Sequence, residues 1–140
     1  MNNTRQTSTA RIVLALDAHG GDFGVAVTIP AALDILATHP DLEILVCGIR
    51  QEVTPVLNKH VSEHGLKHCI ERLSIVDATH ALASDARPVA ALRRGKGSSL
   101  WLALEQVANG KATACVSAGS TAAMLALGVK LQHLSIEAII

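Results

Sequence analysis

Apolar residues in this chain come in short runs separated by polar, glycine-containing segments. Residues 12–16 and 42–47 are almost wholly apolar, which predicts strands covered on both faces of a sheet. Gly48 closes the second of them. Residues 73–76 and 112–116 are two further strand candidates. The segments between follow the helical period. Ala31, Leu33, Ile35 and Leu36 predict a helix that starts at or before Pro30, runs to about Thr38 and ends at His39-Pro40. Residues 51–63 form a second, with Pro55 in its early part and Gly65 just past its end. A short helix is expected over 89–92 after Pro88, whereas 78–86 has no clear pattern.

Ser98 or Ser99 is placed to cap the next helix, which carries Leu100, Ala103, Leu104, Val107 and Ala108 and ends at Asn109-Gly110. Residues 117–120 are a small-residue loop, and 121–131 are expected to be a mostly buried helix. Residues 1–10 read as a disordered lead-in to a single α/β unit over 11–140. Strands alternating with helices in this way give an α/β fold with a largely parallel sheet flanked by helices.

Composition narrows the function classes. The chain has 140 residues, 49% of them hydrophobic and 17% charged, which excludes a disordered polymer. Twelve basic and twelve acidic residues cancel, so no overall field points to nucleic acid or membrane. Phe23 and Trp101 are the only aromatics, which argues against a nucleic-acid binder that stacks bases. Cys47, Cys69 and Cys115 are odd in number and form no CxxC pair. This favours a reducing, cytoplasmic setting over a disulfide scaffold. No run reaches the roughly 18 apolar residues of a membrane span. Even 122–129 stops at Lys130.

Three loops have the composition to carry chemistry. The first runs Asp17-Ala18-His19-Gly20-Gly21-Asp22-Phe23-Gly24. Its paired glycines let backbone N–H groups approach an anion, though the same residues also describe a tight turn stabilised by Asp17 and Asp22. The second gathers Arg87, Arg93, Arg94 and Lys96 ahead of Ser98-Ser99. It suits phosphate or an acidic partner, or equally a solvated basic loop with a serine cap. The third, Ser117-Ala118-Gly119-Ser120-Thr121, leaves room for phosphate oxygens at a helix start, or simply caps that helix. It matches neither GxGxxG nor the P-loop.

His60, His64 and His68 are spaced by four, but Gly65 interrupts the helix and no HExxH is present. Solvated histidines are the reading there, and no metal site is expected.

Taken together, the three loops resemble those of the PlsX-type phosphate acyltransferases of bacteria. LALDAHGGDFG (14–24) is similar to the family's first motif, which usually has Met at the position of His19 and Pro at that of Val25. SDARPVAALRRGKGSSL (84–100) is similar to a second stretch. ACVSAGSTAAMLAL (114–127) is similar to a third, usually VSAGNTGA, so Ser120 replaces Asn and Ala122 replaces Gly. Order and spacing agree from about Arg11 to Leu131.

The resemblance implies a Rossmann-like fold related to the phosphotransacetylases and isocitrate dehydrogenases. It also implies transfer of a fatty acyl group from acyl carrier protein to inorganic phosphate, giving acyl phosphate for phospholipid synthesis. It implies no cofactor, no metal and no nucleic acid, but a homodimer with peripheral membrane association. On this reading Asp17, Gly20, Gly21, Asp22, Ser98, Ser99, Ser117, Gly119, Ser120 and Thr121 are the candidate substrate-binding residues. Arg87, Arg93, Arg94 and Lys96 are the candidate contacts for the acidic carrier protein.

Family chains are more than twice this length, so the chain corresponds to their amino-terminal part and is expected to expose apolar surface. Two other readings stand beside this one: a non-catalytic phosphate- or carrier-protein-binding module, and a structural piece that completes an oligomer.

Overall fold

A computed structural model describes residues 11–132; the expectations for 1–10 and for the apolar end fall outside the described residues. The elements in chain order are β1 (Ile12–Asp17), α1 (Val25–Thr38), β2 (Leu42–Gly48) and α2 (Arg50–His64). A 3₁₀ helix (Lys67–Arg72) leads into β3 (Leu73–Asp77), then α3 (Pro88–Arg94), α4 (Ser99–Ala108), β4 (Ala114–Val116) and α5 (Thr121–Gln132). The expected elements are all present; most ends move by one or two residues, while α1 begins at Val25, five residues ahead of Pro30. The stretch over 78–86 contains no helix or extended strand.

The four strands form one sheet in the order β3-β2-β1-β4, every pair parallel. The α/β, Rossmann-like expectation therefore holds. The chain winds from β1 out to β3, then crosses back to lay β4 against the other side of β1. The order thus reverses between β1 and β4, and ligands in such sheets bind at the carboxyl ends of the strands where this happens.

Alternation along the strands divides the core into layers. Leu14, Leu16, Ile44 and Val46 face α1 and α2, packing with Ile29, Leu33, Leu36, Val53 and Leu57. Val13, Ala15, Leu45 and Cys47 face the opposite way, toward Ala103 of α4. A third cluster joins α3, α4 and α5 through Ala91, Leu100, Trp101, Leu104, Ala123 and Leu127.

Local chemistry fixes the ends. Pro30 lies inside α1 and removes one N–H from its ladder. At the other end the Arg72 guanidinium donates to the carbonyls of Leu36 (2.7 Å), His39 (2.8 Å) and Leu42 (3.0 Å), satisfying groups a helix end leaves unpaired. Gly65 takes the left-handed conformation (φ 65°) that terminates α2.

Two burial expectations are corrected. The first strand is not covered on both faces along its length: Ile12 is 52% exposed, and Leu14 and Leu16 are half-buried. α1 packs against α2 and β2, and Val116 of β4 is exposed like Ile12, so the β1–β4 side of the sheet is open. Nor is α5 mostly buried. Ala123 and Leu127 are covered, but Leu125 and Val129 are exposed, because only one face of α5 meets α3 and α4. An all-apolar helix sequence cannot indicate which face is covered.

Candidate functional site at the β1–β4 switch point

The loops after β1 and β4 meet at the carboxyl end of the sheet. Pairing of Leu14, Ala15 and Leu16 with Ala114, Cys115 and Val116 brings Asp17 and Ser117 to the same level. Asp17, the last residue of β1, is only 4% exposed. Its Oδ2 accepts a hydrogen bond from the Ser117 hydroxyl at 2.8 Å, and its Oδ1 accepts from the His19 backbone N–H at 3.3 Å. The Ser117 oxygen in turn accepts from the Gly119 N–H at 3.1 Å. One carboxylate therefore orders both loops.

Gly20 is the point of closest approach. A Cβ there would lie 2.9 Å from the Ala118 nitrogen, 3.0 Å from the Gly119 nitrogen and 3.0 Å from the Ser117 hydroxyl oxygen. Only a residue without a side chain lets the two loops nest so closely. Gly21 follows at φ 85°, against the Ala118 methyl.

Above this nest α5 begins. The Ser120 hydroxyl accepts from the Ala123 N–H at 3.2 Å, capping the helix, and donates to the Ala86 carbonyl at 2.8 Å. Thr121 is exposed at the first turn, where the amides carry the positive end of the helix dipole. Asp22 is exposed on the first loop.

The structure thus brings Asp17, Gly20, Gly21, Ser117 and Gly119 into contact, with Ser120 and Thr121 adjoining. It does not bring Ser98 and Ser99 to them as open hydroxyls. Ser98 is fully buried and caps α4, accepting from the Trp101 N–H at 3.2 Å. Ser99 is buried too, and its backbone N–H donates to the His80 carbonyl at 3.1 Å.

The basic residues form a separate feature. Arg87, Arg93 and Arg94 line a surface groove of about 320 Å³ along α3, together with Val89 and Ala90. Val89 is 62% exposed. Lys96 is exposed on the loop beyond.

The loop geometry also gives His19 a place that spacing alone does not reveal. Its Nε2 accepts from the Ile49 N–H at 2.9 Å, so its hydrogen sits on Nδ1, 3.4 Å from the Glu52 carboxylate. The ring ties the glycine loop to the start of α2. The signal for this was the histidine inside a glycine loop, but its partners lie 30 residues away. Thr28 adds a second tie, donating to the Ala18 carbonyl at 2.6 Å.

Two thiols lie under the site. Burial pushes Cys47 and Cys115 each up to about 12, with the Asp17 carboxylate adding to the effect in both. They are inert thiols rather than nucleophiles. His60 and His64 stack at 4.1 Å, but no group of three or more His, Cys, Asp or Glu among the described residues could hold a metal. No helix among them is long and apolar enough to cross a membrane.

The family described as fatty acid synthesis protein matches residues 12–139. The chain belongs to this family, that of the PlsX-type proteins. The match takes in every element of the sheet and both loops of the nest. Family membership gives the chain a role in fatty acid and phospholipid synthesis.

Proposed function

We propose that this chain carries the phosphate-binding half of an acyltransferase that moves a fatty acyl group from acyl carrier protein to inorganic phosphate. The observation that carries the reading is the nest at the switch point. Gly20 packs against the Ala118 and Gly119 nitrogens, and the dipole of α5 opens beside them.

The reaction asks little of side-chain chemistry. Phosphate is an anionic nucleophile at neutral pH, and a thiolate is a good leaving group. A phosphate oxygen attacks the thioester carbonyl, the C–O bond forms, the C–S bond breaks and the electron pair leaves with sulfur. The protein must hold the two reactants together and stabilise the oxyanion. Backbone amides of Thr121 and Ala122, with the Thr121 hydroxyl, suit that role. Ser117 and Asp17 hold the loop geometry, since each is already engaged by the other. Asp17 is thereby an ordering group and not a base.

The α3 groove suits the acidic carrier protein. Three arginines supply charge, and Val89 supplies an apolar contact. The family resemblance adds a homodimer in the cytoplasm, peripheral to membrane, as the setting for the reaction.

The test is phosphate-dependent thiol release from acyl carrier protein thioester, with acyl phosphate detected directly. Turnover that rises with phosphate and falls at least tenfold in Thr121→Val supports the reading. Thiol release independent of phosphate overturns it.

A further inference from the structure

The segment over 78–86, without helix or extended strand, touches both the nest and the basic surface. At one end the Ala86 carbonyl accepts from the Ser120 hydroxyl. At the other, Thr79 and His80 grip the turn that carries Arg94 and Lys96. His80 places Nε2 2.6 Å from the Arg94 carbonyl, and the Thr79 N–H donates to the Gly97 carbonyl at 3.1 Å. The Thr79 hydroxyl lies between two partners, 2.8 Å from His80 Nδ1 and 3.2 Å from the Gly97 carbonyl. Gly97 suits this place: its φ is 82°, and a Cβ would lie 3.1 Å from that hydroxyl.

A carbonyl only accepts, so Nε2 carries a hydrogen whatever the charge of the ring. In the neutral ring Nδ1 is then an acceptor, and the Thr79 hydroxyl gives it its one hydrogen. A proton added from solvent at Nδ1 reverses that bond. The Thr79 oxygen now accepts from Nδ1–H, and its own hydrogen turns to the Gly97 carbonyl. The charged ring therefore holds the turn by one more hydrogen bond than the neutral ring does, and the bond to Arg94 becomes charge-assisted.

The charges around the ring oppose that proton. Arg93 and Arg94 of α3, Arg87 at its start, Lys96 of the turn and the positive end of α4 at Ser99 surround it. Against them stand Asp85 of the segment itself and Asp77 at the end of β3, which accepts from the Arg50 N–H at 3.1 Å. Among the described residues no carboxylate forms an ion pair with His80. An acidic surface lying on the arginines supplies the missing negative charge. It favours the proton, and by reciprocity the proton favours it.

We propose that His80 is a positioning residue for the basic surface. Docking of an acidic protein on Arg87, Arg93 and Arg94 draws a proton onto His80, and the Thr79 hydroxyl then locks the turn. The partner rests on the carrier-protein reading above; the latch does not.

The experiment uses the whole chain and two conservative pairs. Thr79→Val removes the hydroxyl at an exposed position, and Thr79→Ser restores it. His80→Gln keeps a donor for the Arg94 carbonyl but cannot titrate. Imidazole nitrogen NMR should find the neutral His80 ring with its hydrogen on Nε2. Amide exchange at Thr79 and Ser98, corrected for its intrinsic pH dependence, should slow about threefold or more across the imidazole titration range, as one added hydrogen bond would produce. Thr79→Ser should keep this response and Thr79→Val should lose it. Calorimetric titration with acyl carrier protein, in buffers of different ionisation heat, should show proton uptake that is reduced in His80→Gln and in Thr79→Val.

A neutral ring with its hydrogen on Nδ1, or the same exchange response in Thr79→Val as in the wild type, would overturn the latch. Proton uptake unchanged in His80→Gln would overturn its coupling to the partner. A wild-type chain that binds no carrier protein at any pH counts against the carrier-protein reading alone, and the exchange measurements then decide the latch.

Discussion

The Ser117 hydroxyl donates to the Asp17 carboxylate at 2.8 Å across 100 residues of sequence. This bond joins the two loops at the switch point, with its acceptor Asp17 buried and its donor Ser117 half-buried. Removing the hydroxyl leaves one oxygen of a buried carboxylate without its donor. Ser117→Ala should therefore lower stability by about 1–3 kcal/mol in urea unfolding. Asp17→Asn, which keeps an acceptor oxygen, should lose less than Asp17→Ala. The Ser117→Ala/Asp17→Ala double variant should be less destabilised than the sum of the two. Strict additivity would show that the bond does not couple the loops.

Gly20→Ala tests the nest itself. The added methyl would meet two backbone nitrogens at 2.9 and 3.0 Å, and backbone cannot swing aside as a long side chain can. One loop must move. Overpacking of this kind costs about 1–3 kcal/mol. Phosphate-dependent turnover should fall at least tenfold, with the circular dichroism of the sheet and helices retained. Turnover at the wild-type rate would remove the nest from the proposed chemistry.

His19 makes a prediction at the backbone of another element. In His19→Ala the Ile49 N–H loses its acceptor, so its hydrogen exchange should accelerate and stability should fall by about 1–2 kcal/mol. His19→Gln can place an oxygen near the Nε2 position and should restore part of both. Unchanged exchange at Ile49 in His19→Ala would show that the ring does not hold the start of α2.

The buried thiols give a pH dependence with a definite sign. Cys47 and Cys115 are raised from 9.0 to about 12 in the folded chain. Below pH 9 both states keep these protons, and the thiols contribute no pH slope. Between about 9 and 12 the unfolded chain releases them while the folded chain retains them. Stability should therefore fall as pH rises through that window, by at most about 1.4 kcal/mol per unit for each thiol. Replacing both with Ala or Val should flatten the decline. Native Cys47 should also resist alkylation at pH 8. Rapid modification without unfolding would contradict its burial.

The sequence by itself determined the elements and the kind of sheet. Apolar runs too short for helices, set between segments of helical period, leave few alternatives to buried parallel strands. Glycine and proline marked some of the boundaries: Gly65 ended α2 and Pro88 opened α3, whereas Pro30 and Pro55 lie inside α1 and α2. The small-residue loops after β1 and β4 were legible as candidate ligand loops, although the same residues equally described a tight turn and a helix cap.

Only the tertiary structure decided which loops meet. Strand order is not written in hydrophobic period, and it is the placement of β4 beside β1 that joins Gly20 to Ala118 and Asp17 to Ser117. Ser98 and Ser99 show the converse. Their residue types suit anion binding, yet burial commits them to the start of α4. The exposed faces of β1 and α5 were likewise beyond the sequence, because an apolar residue records its preference for cover and not whether a neighbour supplies it.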